Sequence, residues 1–227
     1  MKKFMLIGVL VLVGASVAYC QHFWFPYTWH QKMTLEVEAD GQRYTGFSVV
    51  EVSWRKNDPI GAANGPEWIG GIRGEAPYVE VPGHGILFGL ISFAGNSSYA
   101  ADLATQVITD RKGWARGPRE FSLAKAAEGQ TLTISHDRYP LLVTFSDITA
   151  PKTVQQVDPT NLAATFGPGV SLKRFTLEIT DEPVTEGKIE SLLGWLGPHP
   201  EPTLGHSKDI FNPIFAATVH HGDFIRR

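Results

Sequence analysis

Residues 33–54 read MTLEVEADGQRYTGFSVVEVSW, and this stretch decides the fold. Met33, Leu35 and Val37 alternate with Thr34, Glu36 and Glu38, the period-two pattern of a strand with one wet face. Asp40-Gly41 lies between the two halves, and a two-residue type I′ turn needs residues that tolerate positive φ at both positions. Pairing the halves about that turn sets Val37 opposite Tyr44 and Leu35 opposite Gly46, with Val50, Val52 and Trp54 continuing the same face. The stretch is therefore an antiparallel hairpin with one apolar side.

Residues 55–69 carry Asn, Asp, Pro and Gly at breaker spacing and read as a loop that exposes Trp68 and Ile69, a candidate partner contact. Residues 71–82 and 86–93 read as strands joined by Gly83-His84-Gly85. Ser97 or Ser98 opens a helix to about residue 109, because Tyr99, Leu103 and Val107 form one buried stripe. A short helix at 121–127 and strands at 131–134 and 141–145 follow. Asp158-Pro159 suits a helix start, Gly167 its end, and residues 170–180 alternate as a strand. Ile189, Leu192, Leu193 and Leu196 predict a last helix over 185–196. The tail from residue 199 reads as a surface wrap, with Ile210, Phe211, Ile214 and Phe215 as candidates for docking on the core. The fold class expected is α+β: a mainly antiparallel sheet with helices on one face, preceded by an N-terminal transmembrane helix. Residues 1–25 are the anchor or signal segment, and 26–227 a single domain.

Residues 1–20 read MKKFMLIGVLVLVGASVAYC, two lysines and then an uncharged apolar run. A cleaved signal ending near Ala18, a lipoprotein signal ending at Cys20 and an uncleaved anchor compete. The rings that follow favour the anchor: Phe23, Trp24, Phe25, Tyr27 and Trp29 suit a membrane–water boundary, where aromatic side chains concentrate. Lys2 and Lys3 orient it with the body on the periplasmic or extracellular side, and the lipid bilayer is the first expected partner.

Without residues 1–20 the chain has 18 basic against 23 acidic residues, so no broad basic surface offers itself to nucleic acid. The single cysteine, Cys20, permits no intramolecular disulfide. Neither a phosphate-binding loop nor a dinucleotide fingerprint occurs, and no cofactor is expected. His220-His221 with Asp223 is the densest set of metal-ligand types, but adjacent histidines in an extended chain point apart, so no metal is assigned. A hydrolase trio is nominated from Ser97 or Ser98, His84 or His136, and Asp147, without the Gly-x-Ser-x-Gly elbow that would fix a serine. His84, on its glycine turn, is the weak catalytic candidate.

Residues 26–32 (PYTWHQK) and 158–185 (DPTNLAATFGPGVSLKRFTLEITDEPVT) resemble parts of small bacterial proteins of unknown function. The resemblance implies a membrane-attached, single-domain protein and brings no catalytic residues with it. A membrane-tethered cell-envelope domain with a binding or structural role is expected, possible partners including another envelope protein. A small envelope hydrolase with its site near His84 is the alternative.

Overall fold

The computed structural model describes residues 27–58, 63–113, 115–197, 204–207 and 214–227. The leader, the rings Phe23, Trp24 and Phe25, and the docking candidates Ile210 and Phe211 lie outside the described residues. No described helix is long and apolar enough to cross a membrane.

Strands β1 (Tyr27–Ala39) and β2 (Gln42–Lys56) form the expected hairpin, in the expected register. Asp40 and Gly41 take φ of 52° and 75°, as a primed turn requires. Trp29, Gln31, Met33, Leu35, Val37 and Ala39 are all buried, while their even-numbered neighbours are half-buried. Each large apolar side chain placed inward stabilises the fold by about 1.5–3 kcal/mol.

The hairpin is the centre of a six-stranded sheet, completed by β3 (Trp68–Glu75), β6 (Thr131–Thr133), β9 (Ser171–Thr180) and β10 (Ile225–Arg226) in the order β10-β3-β2-β1-β9-β6. A second sheet orders β4 (Tyr78–Val81), β5 (Gly85–Gly89), β7 (Leu142–Phe145) and β8 (Val154–Gln156). Neighbouring strands run antiparallel in both sheets. The chain is thus mainly antiparallel sheet with a few helices.

The expected single strand over 71–82 is in fact two. Gly74, at φ 130°, and Pro77, which lacks an N–H for the ladder, carry the chain from one sheet to the other. There β4 crosses β2 so closely that a Cβ on Gly46 would lie 1.6 Å from the Tyr78 carbonyl oxygen.

The second sheet is covered on both sides. Leu87, Ile91 and Leu142 enter the core shared with the large sheet, whereas Phe88, Leu90 and Val143 enter a second core with Ile189, Leu193, Val219 and Phe224. This explains the unbroken apolar run ILFGLI at 86–91, since a strand buried on two faces has no wet side to alternate with. Helices α1 (Tyr99–Thr109) and α2 (Pro118–Ala126) pack on the large sheet, and the short α3 (Ala163–Phe166) lies between β8 and β9 in the chain. Two further helices, α4 (Lys188–Leu192) and α5 (His221–Phe224), bring Ile189 and Phe224 into the second core. Helices on one face only is therefore corrected.

Two helical expectations shorten. Asp158 binds the N–H and hydroxyl of Thr160 at 2.8 and 2.7 Å and makes a turn; α3 begins five residues later. In the last helix Thr185 is already bonded edge-on to Val49, and helix starts only after Gly187. The buried Glu75 carboxylate caps that start, accepting the N–H groups of Gly187, Lys188 and Ile189. Glu75→Ala orphans all three donors, and urea denaturation should show a loss of about 2 kcal/mol or more. The tail is part of the structure: Leu204, Phe224 and Ile225 are buried, and β10 pairs with β3, while Ile214 stays exposed.

Candidate functional site

The rings assigned to a headgroup belt divide. Tyr27 and Trp29 belong to β1, and its period of two turns both toward Phe121 of α2, with centroids 5.0 and 6.4 Å away. Trp29 is buried, so it is a core residue and not a membrane contact. Trp68 closes the same cluster edge-on to Phe121 at 5.2 Å, and Trp54 stacks on Phe121 at 5.0 Å. The 55–69 loop therefore ends sooner than expected: Trp68 and Ile69 begin β3, paired with Lys56 and Arg55, and both are half-buried. That arrangement removes the exposed pair offered as a partner contact.

His84 is held on both sides. Nε2 lies 3.0 Å from Asp40 Oδ2 and Nδ1 2.7 Å from the Phe166 carbonyl oxygen. The ring thus ties three turns together, and with both nitrogens engaged it offers no lone pair to a substrate. The Asp40 carboxylate, then the Phe166 carbonyl, favour the charged ring and raise its pKa. Because the folded value is raised, the stabilisation is complete below the unfolded pKa of about 6.5 and is lost as pH climbs through the folded one. His84→Ala should therefore lower the melting temperature more at about pH 5.5 than at about pH 8.5.

The other nominated groups do not assemble. Asp147 is spent on the N–H and hydroxyl of Thr149, at 2.9 and 2.7 Å. His136 lies against Tyr139, and Ser98 stands at the start of α1. Asp223 is buried; it accepts from the Ser92 hydroxyl at 2.6 Å and from the His220 N–H at 2.9 Å, fastening the C-terminus. Among the described residues no group of three His, Cys, Asp or Glu side chains is placed to hold a metal.

What the sequence did not disclose is a cleft of about 380 Å³ beside α1. It lies in the size range of small-molecule sites, about 300–1,000 Å³. Its floor is a buried ion pair. Arg116 reaches back to α1 and grips Asp102 through Nε and Nη2, at 2.7 and 2.6 Å. The guanidinium also lies 5.1 Å above the Trp54 ring. Removing two charges from water is costly, and only bidentate geometry of this kind offsets it.

Phe93 and Tyr139 are half-buried walls, and the buried Tyr99 donates its O–H to the Arg138 carbonyl at 2.9 Å, fixing the 136–138 turn to the helix. Arg138 pairs with Asp110 at 2.8 Å, yet its Nε is buried without a hydrogen-bond partner. Lys112 pairs with Asp137 at 2.6 Å and holds that carboxyl at a pKa of about 2. Burial raises the pKa of both Tyr99 and Tyr139, which keeps the phenols neutral. Gln106 donates to the Gly113 carbonyl at 2.9 Å and ties the rim to α1.

Among the described residues no histidine, serine or cysteine lines this cleft. Its carboxylates are paired and its phenols neutral, so near pH 7 it presents hydrogen-bonding groups and aromatic faces. The one available sequence signal, not used above, is that Asp102 sits within YAADLAT, a segment too rich in alanine and apolar residues to have a natural wet side. All seven of its residues are buried. A cavity of about 420 Å³ beside Arg73 and Arg227 is a seam, where Glu75 caps α4 and Arg227 pairs with Glu190.

Compared with protein-family models, with curated proteins and with solved structures, the chain finds no match.

Proposed function

We propose that this chain is a binding module of the cell envelope, tethered by residues 1–25 with its body on the far side of the membrane from the two lysines. The α1 cleft is its ligand seat. The tether is supported by Lys2, Lys3 and the uncharged run from Phe4 to Tyr19. The observation that carries the binding reading is the state of the cleft: walls of Phe93 and Tyr139 over paired charges, with no histidine, serine or cysteine among the described lining residues. The rival hydrolase loses support because both nitrogens of His84 are occupied.

Carbonate extraction and an intact mass test the tether. Full-length protein in the pellet is expected, and a soluble product beginning at Tyr19 contradicts it. A photo-crosslinking residue at position 112, on the cleft rim, tests the seat in native membranes against the same residue at Phe47, on the sheet's other face. An adduct from 112 alone is expected. An adduct from 47 alone moves the binding surface to the sheet.

A further inference from the structure

Resting on the cleft as the ligand seat, we infer that its ligand is a neutral, polyhydroxylated one: a saccharide. Each cation lining the cleft already has a carboxylate, Arg116 with Asp102, Lys112 with Asp137 and Arg138 with Asp110. A phosphate or carboxylate ligand would have to displace a carboxylate already in place, and at the buried Arg116–Asp102 pair, whose side chains are 11% and 5% exposed, that would leave a desolvated charge uncompensated. A cationic ligand meets the converse problem with the guanidinium groups.

A neutral ligand meets neither. The buried, bidentate Arg116–Asp102 pair sets N–H donors and oxygen acceptors side by side in fixed geometry, and the Lys112–Asp137 pair adds more at the exposed rim. Vicinal hydroxyls, each both donor and acceptor, match such a row without disturbing its charge balance, and paired groups polarise one another in favour of the added bonds.

The walls fit the same chemistry. Tyr139 is half-buried, pinned edge-on against Phe175 at 5.8 Å, so its ring is held rigid. Phe93, also in the lining, lies 5.5 Å from Tyr99. A pyranose has one face of C–H groups and a rim of hydroxyls, and a fixed aromatic ring beside planar polar groups receives both. Little side-chain freedom remains to be lost on binding, since α1, the rim and the 136–138 turn are already tied together by Gln106 and Tyr99.

Isothermal titration of the full-length protein in mild detergent tests this. The probes are a β-1,4-linked N-acetylglucosamine tetramer, a maltotetraose, inorganic phosphate and acetate. At least one saccharide should bind, neither anion should compete, and Tyr139→Ala should weaken binding tenfold or more. Gln106→Ala, at a half-exposed position, should weaken it several-fold with the melting temperature kept, which guards against a Tyr139 variant that merely misfolds. Binding of phosphate or acetate in the cleft, or saccharide binding indifferent to both variants, overturns the proposal. Silent saccharides with an adduct still formed from position 112 overturn the ligand class and leave the seat standing. Silence in both experiments removes both.

Discussion

Gly46→Ala should leave little folded protein. Gly46 faces inward from β2, opposite the buried Leu35, where β4 crosses directly beneath it. An added methyl carbon would sit 1.6 Å from the Tyr78 oxygen, 2.5 Å from its carbonyl carbon and 2.8 Å from Val79 Cα. All three are backbone atoms of a strand held in its own sheet, so no side chain can swing aside. The two sheets must separate, which costs about 4 kcal/mol or more, a large part of a typical domain's 5–15 kcal/mol. Gly41→Ala gives the contrast. Nothing lies within 4 Å of that position, and its φ of 75° is the only obstacle, so about 1–2 kcal/mol is expected. Urea denaturation of the two variants separates a packing glycine from a turn glycine. Equal costs would mean that β4 does not cross β2 at this point.

Asp102→Ala is expected to be nearly as damaging, by a different route. It leaves the Arg116 guanidinium, only 11% exposed in its side chain, without its partner carboxylate. Breaking a buried pair from one side costs about 3–5 kcal/mol, chiefly the desolvated charge left behind. Replacing both members, Asp102→Leu with Arg116→Met, should recover most of that loss, because no charge then remains buried. The double variant should nonetheless lose ligand binding, since the cleft floor goes with the pair. A single variant within about 1 kcal/mol of wild type would show the pair to be worth no more than a surface salt bridge.

How far the sequence carried depended on the range of the forces involved. The β1–β2 register was legible because alternation and the Asp40-Gly41 turn are local and agree with one another. The strand over 71–82 was misjudged because its two halves have similar composition. Only Pro77 and Gly74 record the change of sheet, and their meaning depends on where β2 lies. Tyr27 and Trp29 were drawn toward the membrane by their nearness to the leader. The same period of two that placed Met33 and Leu35 inward also governs them, and extending it six residues toward the N-terminus would have placed them in the core. The last helix was overextended because Ile189, Leu193 and Leu196 do face inward, but a cap supplied by Glu75, 112 positions away from Gly187, sets where helix begins. The cleft was invisible for a related reason: Asp102, Arg116 and Tyr139 meet only through the tertiary fold.

Under the proposed function the cleft binds the ligand and His84 serves architecture. Complementation of a strain lacking the gene, scored together with protein abundance, tests that division most directly. Tyr139→Ala protein present at wild-type levels should fail to restore function and Gln106→Ala should restore it only in part, while His84→Ala should restore it in proportion to whatever protein accumulates. A His84→Ala protein at full abundance and without function, beside fully active cleft variants, would contradict the account.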